Sequence, residues 1–184
     1  MRWVLILAVM ALAAAGCTVD PTPEPDGPRA GDTWVLEGAD RAGVFGEITV
    51  TRGDVITLPP EANAGAMVPG ASHGVLVHVR YEHDRANDSG IGAFDWGGRT
   101  GGDGEGADGR FRMGALVSNV DWPVGPFLGT LLPDNDQSLE GWFYIAATPQ
   151  DLDGPIFLQY QPLLVPTGGG FGPELVDEIL IYAP

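Results

Sequence analysis

From residue 32 onward, apolar and polar side chains alternate in short runs, and clusters of Gly, Pro, Asn and Asp separate the runs. A period of two puts every second side chain on the same face of a strand. Residues 75–82 carry the clearest case: Val75, Val77, Val79 and Tyr81 share one face, and Leu76, His78, Arg80 and Glu82 share the other. Residues 44–52 alternate in the same way, with Ile48 and Val50 set against Glu47, Thr49 and Thr51. Gly53-Asp54 reads as a turn before a further strand at 55–58. Strands are also predicted at 33–37, 111–120, 127–132, 142–148, 155–161 and 176–182. No window after residue 31 sustains a helical period. The pattern predicts an all-β domain, a jelly-roll or related β-sandwich of about eight strands.

Two stretches, 59–74 and 84–110, are glycine-rich and polar and read as long loops. In the second, residues 101–109 contain only glycine and acidic residues apart from Ala107. Loops at the ends of a sandwich commonly carry binding sites. Trp96, within Phe94-Asp95-Trp96-Gly97-Gly98, is the best candidate for a loop-borne ligand contact. Trp142 and Tyr144 share the parity of one strand and read as core, because a buried aromatic removes a large apolar area from water.

The N-terminus departs from this grammar. Residues 1–17 read MRWVLILAVMALAAAGC: one positive charge at Arg2, a short apolar run, then Ala14-Ala15-Gly16 leading into Cys17, the single cysteine of the chain. These are the parts of a secretory signal, and the run is shorter than the ~20 residues of a spanning helix. The small-small-Cys ending resembles the lipobox of bacterial lipoproteins. That resemblance implies cleavage before Cys17, diacylglycerol on its thiol and usually an acylated amine, a pairing that holds a membrane better than one chain. Residues 18–31 contain four prolines, and at about 3.1 Å per residue they form a tether reaching about 40 Å. The expected organisation is 1–16 signal peptide, 17–31 lipidated cysteine and Pro-rich linker, and 32–184 β-sandwich domain. With Cys17 carrying lipid, the mature domain has no thiol for a disulfide, a nucleophile or a metal.

The net charge is −16, and the chain contains no lysine. Such a field repels nucleic acid and anionic headgroups and keeps an exported protein soluble. It also suits hard cations. Asp103, Glu105 and Asp108, spaced by glycine and alanine, could wrap Ca²⁺ through carboxylate oxygens, and Asp151 with Asp153 offers a second pair. A solvated loop and an Asx turn are the competing readings. Asp134-Asn135-Asp136 is ambiguous in the same way.

Other motifs are formal matches. Gly70-Ala71-Ser72-His73-Gly74 fits G-x-S-x-G, but a nucleophile elbow needs a strand before it and a helix after it, and here Pro69 precedes and a strand follows. Asp88-Ser89-Gly90 lacks the apolar strand that should lead into an aspartic-protease triplet. His73, His78 and His83 are five apart, so a straight strand turns them to alternating faces and away from one shared ion.

Gly53 to Leu58, Gly114 to Val117, Phe127, and Gly141 to Ile145 occur in an order that resembles the PA-I type galactophilic lectins. That resemblance implies a small jelly-roll sandwich binding galactose through Ca²⁺. The lectins' calcium-site residues are not matched: Tyr160 is followed by Gln161-Pro162, Ile145 by Ala-Ala-Thr-Pro, and the Asn-Asn pair is missing. Asp151 and Asp153 are the nearest acids. The expectation is an exported, non-catalytic lipoprotein, held to membrane lipid by Cys17, binding carbohydrate with Ca²⁺. Its expected ligand-binding residues are Trp96, Asp103, Glu105 and Asp108. The runner-up is an envelope-assembly lipoprotein with a protein partner; nucleic acid is not an expected partner.

Overall fold

The computed structural model describes residues 27–40, 43–62, 64–66, 68–83, 95–101, 112–116, 118, 120–128, 138–162 and 177–184. Cys17, Asp88, Ser89, Asp103, Glu105, Asp108 and the Asp134–Asp136 triplet lie outside them.

The described residues form an all-β sandwich of two antiparallel sheets. Strands β1 (Thr33–Asp40), β2 (Gly43–Thr57), β3 (His73–His83), β5 (Met113–Ala115) and β6 (Leu139–Ala147) make a five-stranded sheet in the order β1-β2-β3-β6-β5. Strands β4 (Trp96–Thr100), β7 (Ile156–Tyr160) and β8 (Asp177–Tyr182) make a three-stranded sheet in the order β4-β7-β8.

The alternation along β3 sets the layers. Val75, Val77, Val79 and Tyr81 enter the core between the sheets, with Phe45, Ile48, Val50, Phe143 and Ile145 from the same sheet and Trp96, Ile156, Leu158, Tyr160, Ile179 and Ile181 from the other. Each such burial contributes roughly 1.5–3 kcal/mol relative to exposure. The opposite parity faces outward, and half of that outer face carries a second core. Leu76, Tyr144 and Ala146 lie under Leu58, Ala62, Ala64, Val68 and Leu116. Part of this cover comes from short 3-10 turns at Pro60–Ala62 and Ala64–Ala66, within the predicted 59–74 loop.

Three expectations are corrected. Gly53-Asp54 is not a turn. β2 runs through it as one strand with a bulge, its register against β3 shifting between Arg52 and Val55. Glycine is needed there for close approach: a methyl group on Gly53 would sit 2.7 Å from Trp142 Cζ3 and 2.8 Å from Leu76 Cβ. The 84–110 stretch is not loop throughout, since it contains β4. Gly98 of β4 lies so close to the facing sheet that a methyl there would be 2.5 Å from Ile145 Cγ2. The glycine that reads as a loop signal is the residue that lets the two sheets meet. Within the strand predicted at 111–120, only Met113–Ala115 forms a described strand.

Arg99 clamps the small sheet across its middle strand. Its Nε and Nη2 donate to Glu178 Oε1 and Oε2 at 2.9 and 2.7 Å, and the guanidinium lies 4.0 Å over the Phe157 ring. These charge-assisted bonds from Arg99 hold the Glu178 carboxyl below its ordinary value.

Candidate functional site

Trp96 is not loop-borne. It opens β4 and is 1 % exposed. Its Nε1 donates to Tyr81 Oη at 2.6 Å, and its ring packs 4.9 Å from Tyr160 and 5.9 Å from Phe143. It is a core residue, because β4 carries it between the sheets.

Asp151 is likewise engaged within the protein. Its Oδ2 accepts from Arg112 Nη1 at 2.8 Å, from the Thr148 amide at 2.8 Å and from the Thr148 hydroxyl at 2.9 Å, while the Asp151 amide donates back to that hydroxyl at 3.2 Å. This reciprocal pattern starts the 3-10 turn Asp151–Asp153. Burial alone would raise the Asp151 carboxyl. The Thr148 and Arg112 bonds together outweigh it, and the group lies below its ordinary value. Asp153 is exposed on the same turn. The pair acts as a turn, and among the described residues no cluster of three His, Cys, Asp or Glu is placed to hold a metal ion.

Ser72 Oγ lies 3.0 Å from His73 Nδ1, at the point where β3 begins. A strand follows the G-x-S-x-G match, as its local sequence predicts. His78 faces outward, while His83 stacks on Phe45 at 4.7 Å on the opposite face, so the histidines do not converge.

What the sheet does assemble is a row of side chains on its outer face, beside the second core. Register pairs Thr33 with Thr51, Thr51 with His78, and His78 with Trp142. The Thr33 and Thr51 hydroxyls meet at 3.3 Å. Trp142 then pairs in parallel with Phe127: its amide donates to the Pro126 carbonyl and its carbonyl accepts from the Leu128 amide, both at 2.9 Å. Leu128 turns into the sandwich core, which leaves Phe127 on the outer face, 39 % exposed.

The Trp142 indole is half-buried and crosses the sheet. It starts on β6, meets the His78 ring of β3 at 5.0 Å, and reaches Gly53 on β2. The bulge residue without a side chain is what lets the indole lie down over two strands. Four strand spacings of ~4.8 Å make the row about 19 Å long. Beside it runs a polar row of Thr49, Arg80 and Glu140, set by the same registers. Arg80 Nε also contacts Glu82 Oε1 at 3.1 Å, with both side chains about half exposed. Burial against the indole pulls the His78 imidazole below its ordinary value, Glu140 opposing and Arg80 adding to the shift.

Chemically, this is a flat apolar strip edged with hydroxyl, guanidinium and carboxylate groups. It can stack against a ring and hydrogen-bond to that ring's periphery. Shared parity with Tyr144 predicts Trp142 as core, and the two differ in burial. Tyr144 is fully buried and bonded through its hydroxyl to the Ala62 carbonyl at 3.3 Å, whereas Trp142 is only partly buried against the same cluster.

No protein-family model matches the chain, and no curated protein or solved structure matches it.

Proposed function

We propose that this chain is an exported, lipid-anchored binding module that takes carbohydrate on the outer face of its five-stranded sheet. The observation that carries the reading is the half-buried Trp142 indole lying across β3 toward Gly53, with His78 and Phe127 in the same row. A pyranose presents a flat C–H face and a rim of hydroxyls. The indole and Phe127 suit the first, and Thr49, Thr51, Arg80 and Glu140 suit the second. The row is longer than one sugar ring, which favours an oligosaccharide over a monosaccharide. The strongly negative chain favours neutral or cationic glycans over sulfated or phosphorylated ones.

Cys17 supplies the anchor in this reading, and the 18–31 tether holds the domain off the membrane. The reading needs no ion at the Trp142 face.

The test is a glycan array with the whole chain, followed by titration of the best glycan with and without Ca²⁺. Trp142→Ala is expected to weaken binding by about tenfold or more, in line with loss of an aromatic anchor, while Phe157→Ala on the opposite sheet leaves it unchanged. Absence of glycan binding, or binding indifferent to Trp142→Ala, would overturn the proposal. The anchor is checked by intact mass of natively produced protein: residues 1–16 are expected to be gone and the new N-terminal Cys17 to carry diacylglycerol.

A further inference from the structure

The open side of the sandwich, where edge strand β1 faces edge strand β8, is stitched at both ends and, among the described residues, left unpaired between them. At one end Arg52 Nε donates to the Ile181 carbonyl at 2.9 Å. At the other end Tyr160 Oη accepts from the Ala39 amide at 3.4 Å and donates to the Ala39 carbonyl at 2.8 Å. The Tyr160 hydroxyl there stands in for a neighbouring strand.

The register shows which groups remain. Asp32 pairs toward β2, its carbonyl accepting from the Arg52 amide at 2.9 Å. Alternation therefore turns Trp34 and Leu36 toward β2, and turns the amides and carbonyls of Thr33, Val35, Glu37 and Ala39 outward. Ala39 is the one that Tyr160 satisfies. Among the described residues, no hydrogen bond reaches the outward backbone groups of Val35 and Glu37.

Between the stitches lies a groove of about 550 Å³, with Trp34, Leu36, Ile179 and Leu180 on its walls and Asp32 and Asp177 at its rim. Val35 is 61 % exposed and Leu180 36 % exposed. Natural edge strands are usually protected by lysine, proline, short length or a cover. β1 has eight residues, with neither lysine nor proline among them.

We propose that this groove docks an extended, basic polypeptide segment of another protein, which adds as a strand to the free edge of β1. Main-chain bonds to Val35 and Glu37 hold such a segment, and alternate side chains reach the groove walls. From Thr33 to Ala39 the edge is about 20 Å long at ~3.4 Å per residue, which suits a segment of about six residues. Charge selects the partner. Asp32, Glu37 and Asp177 are exposed around the groove, and Glu37 neighbours Glu47 on β2. A second copy of a chain with net charge −16 is repelled from this edge. A lysine- or arginine-bearing strand is drawn to it.

The test uses the whole chain and two short synthetic peptides, one alternating valine with lysine and one alternating valine with glutamate. Trp34 fluorescence and calorimetry report binding, and amide hydrogen exchange reports on Val35 and Glu37. The basic peptide is expected to bind at least about tenfold more tightly than the acidic one and to slow exchange at both amides. Val35→Pro removes the outward N–H without touching the β1–β2 ladder, and is expected to weaken the basic peptide by about tenfold, the worth of a main-chain bond with its loss of fit. An unchanged melting temperature in Val35→Pro confirms that the edge still folds.

Four outcomes overturn the proposal. The basic peptide fails to bind, or it binds Val35→Pro as well as it binds the unaltered chain, which would leave only diffuse charge attraction. The Val35 and Glu37 amides are already protected without peptide, so a segment of the chain itself fills the groove. Protection rises with protein concentration, so a second copy does. Trp142 lies on β6, three strands away from the β1 edge, so glycan binding there is expected to be unaffected by Val35→Pro, and this proposal and the carbohydrate reading fail independently.

Discussion

Trp96 Nε1 donates to Tyr81 Oη at 2.6 Å across the space between the two sheets, joining β4 of one to β3 of the other. Both side chains are essentially unexposed, so each polar atom has given up water for the contact. Burial drives the Tyr81 phenol well above its ordinary value, Asp95 and Tyr160 adding to the shift and the Trp96 bond opposing it.

Removing the acceptor tests that bond. Tyr81→Phe keeps the ring in the core and leaves the Trp96 N–H buried beside an apolar edge. The cost is about 1–3 kcal/mol, the desolvation penalty of an orphaned donor, equivalent to a Tm lowered by roughly 2–4 °C per kcal/mol for a domain of this size. Thermal melting read through tryptophan fluorescence checks it. A Tm unchanged from the parent would mean that the hydroxyl contributes nothing.

Gly98→Ala tests the approach of the sheets. The added methyl meets Ile145 Cγ2 at 2.5 Å, so β4 has to lift or Ile145 has to leave its rotamer. Overpacking of this kind costs about 1–3 kcal/mol. Adding Ile145→Ala removes the obstructing atom. In a double-mutant cycle the two changes together are expected to cost less than their sum, and simple additivity would show that the contact is not the cause.

The Asp151 carboxyl carries an acid dependence. Its folded value lies below the usual 3.8, so the stabilisation is fully present above that value and is lost as pH falls through the depressed one. Asp151→Asn is expected to lower stability at neutral pH by on the order of 1 kcal/mol, allowing for solvent screening of a partly exposed pair. The gap between variant and parent is expected to narrow as pH falls below 3.8 and through the depressed folded value, as the parent's carboxyl becomes protonated in both states. Denaturant titrations at neutral and acid pH measure both points. A gap that stays constant with pH would assign the effect to packing rather than charge.

Local alternation was enough to place β3. Val75, Val77, Val79 and Tyr81 point inward as their parity requires, because one buried face tolerates no slip of register. It also placed β7 and β8 to within a residue or two. β4 was not legible. In Trp-Gly-Gly-Arg-Thr the glycines have no side chains to show a period, and they matter because of Ile145, which lies far along the chain. The Gly53 bulge was hidden for the same reason, since the ring that needs its empty space belongs to Trp142.

The two tryptophans show the same division at the candidate site. Flanking glycines and acids made Trp96 look like a loop contact, and shared parity with Tyr144 made Trp142 look like core. The fold reversed the first and qualified the second. Parity states which face a side chain takes; it does not state what covers that face. The cover over Tyr144 comes from Leu58, Ala62 and Leu116, and Trp142 packs only partly buried against that cluster. The chain's own pattern therefore determined an all-β sandwich and the inward set of its clearest strand. Tertiary structure alone decided how far each outward aromatic is buried and, among the described residues, which edge groups lack a partner, because both depend on contacts between residues distant in sequence.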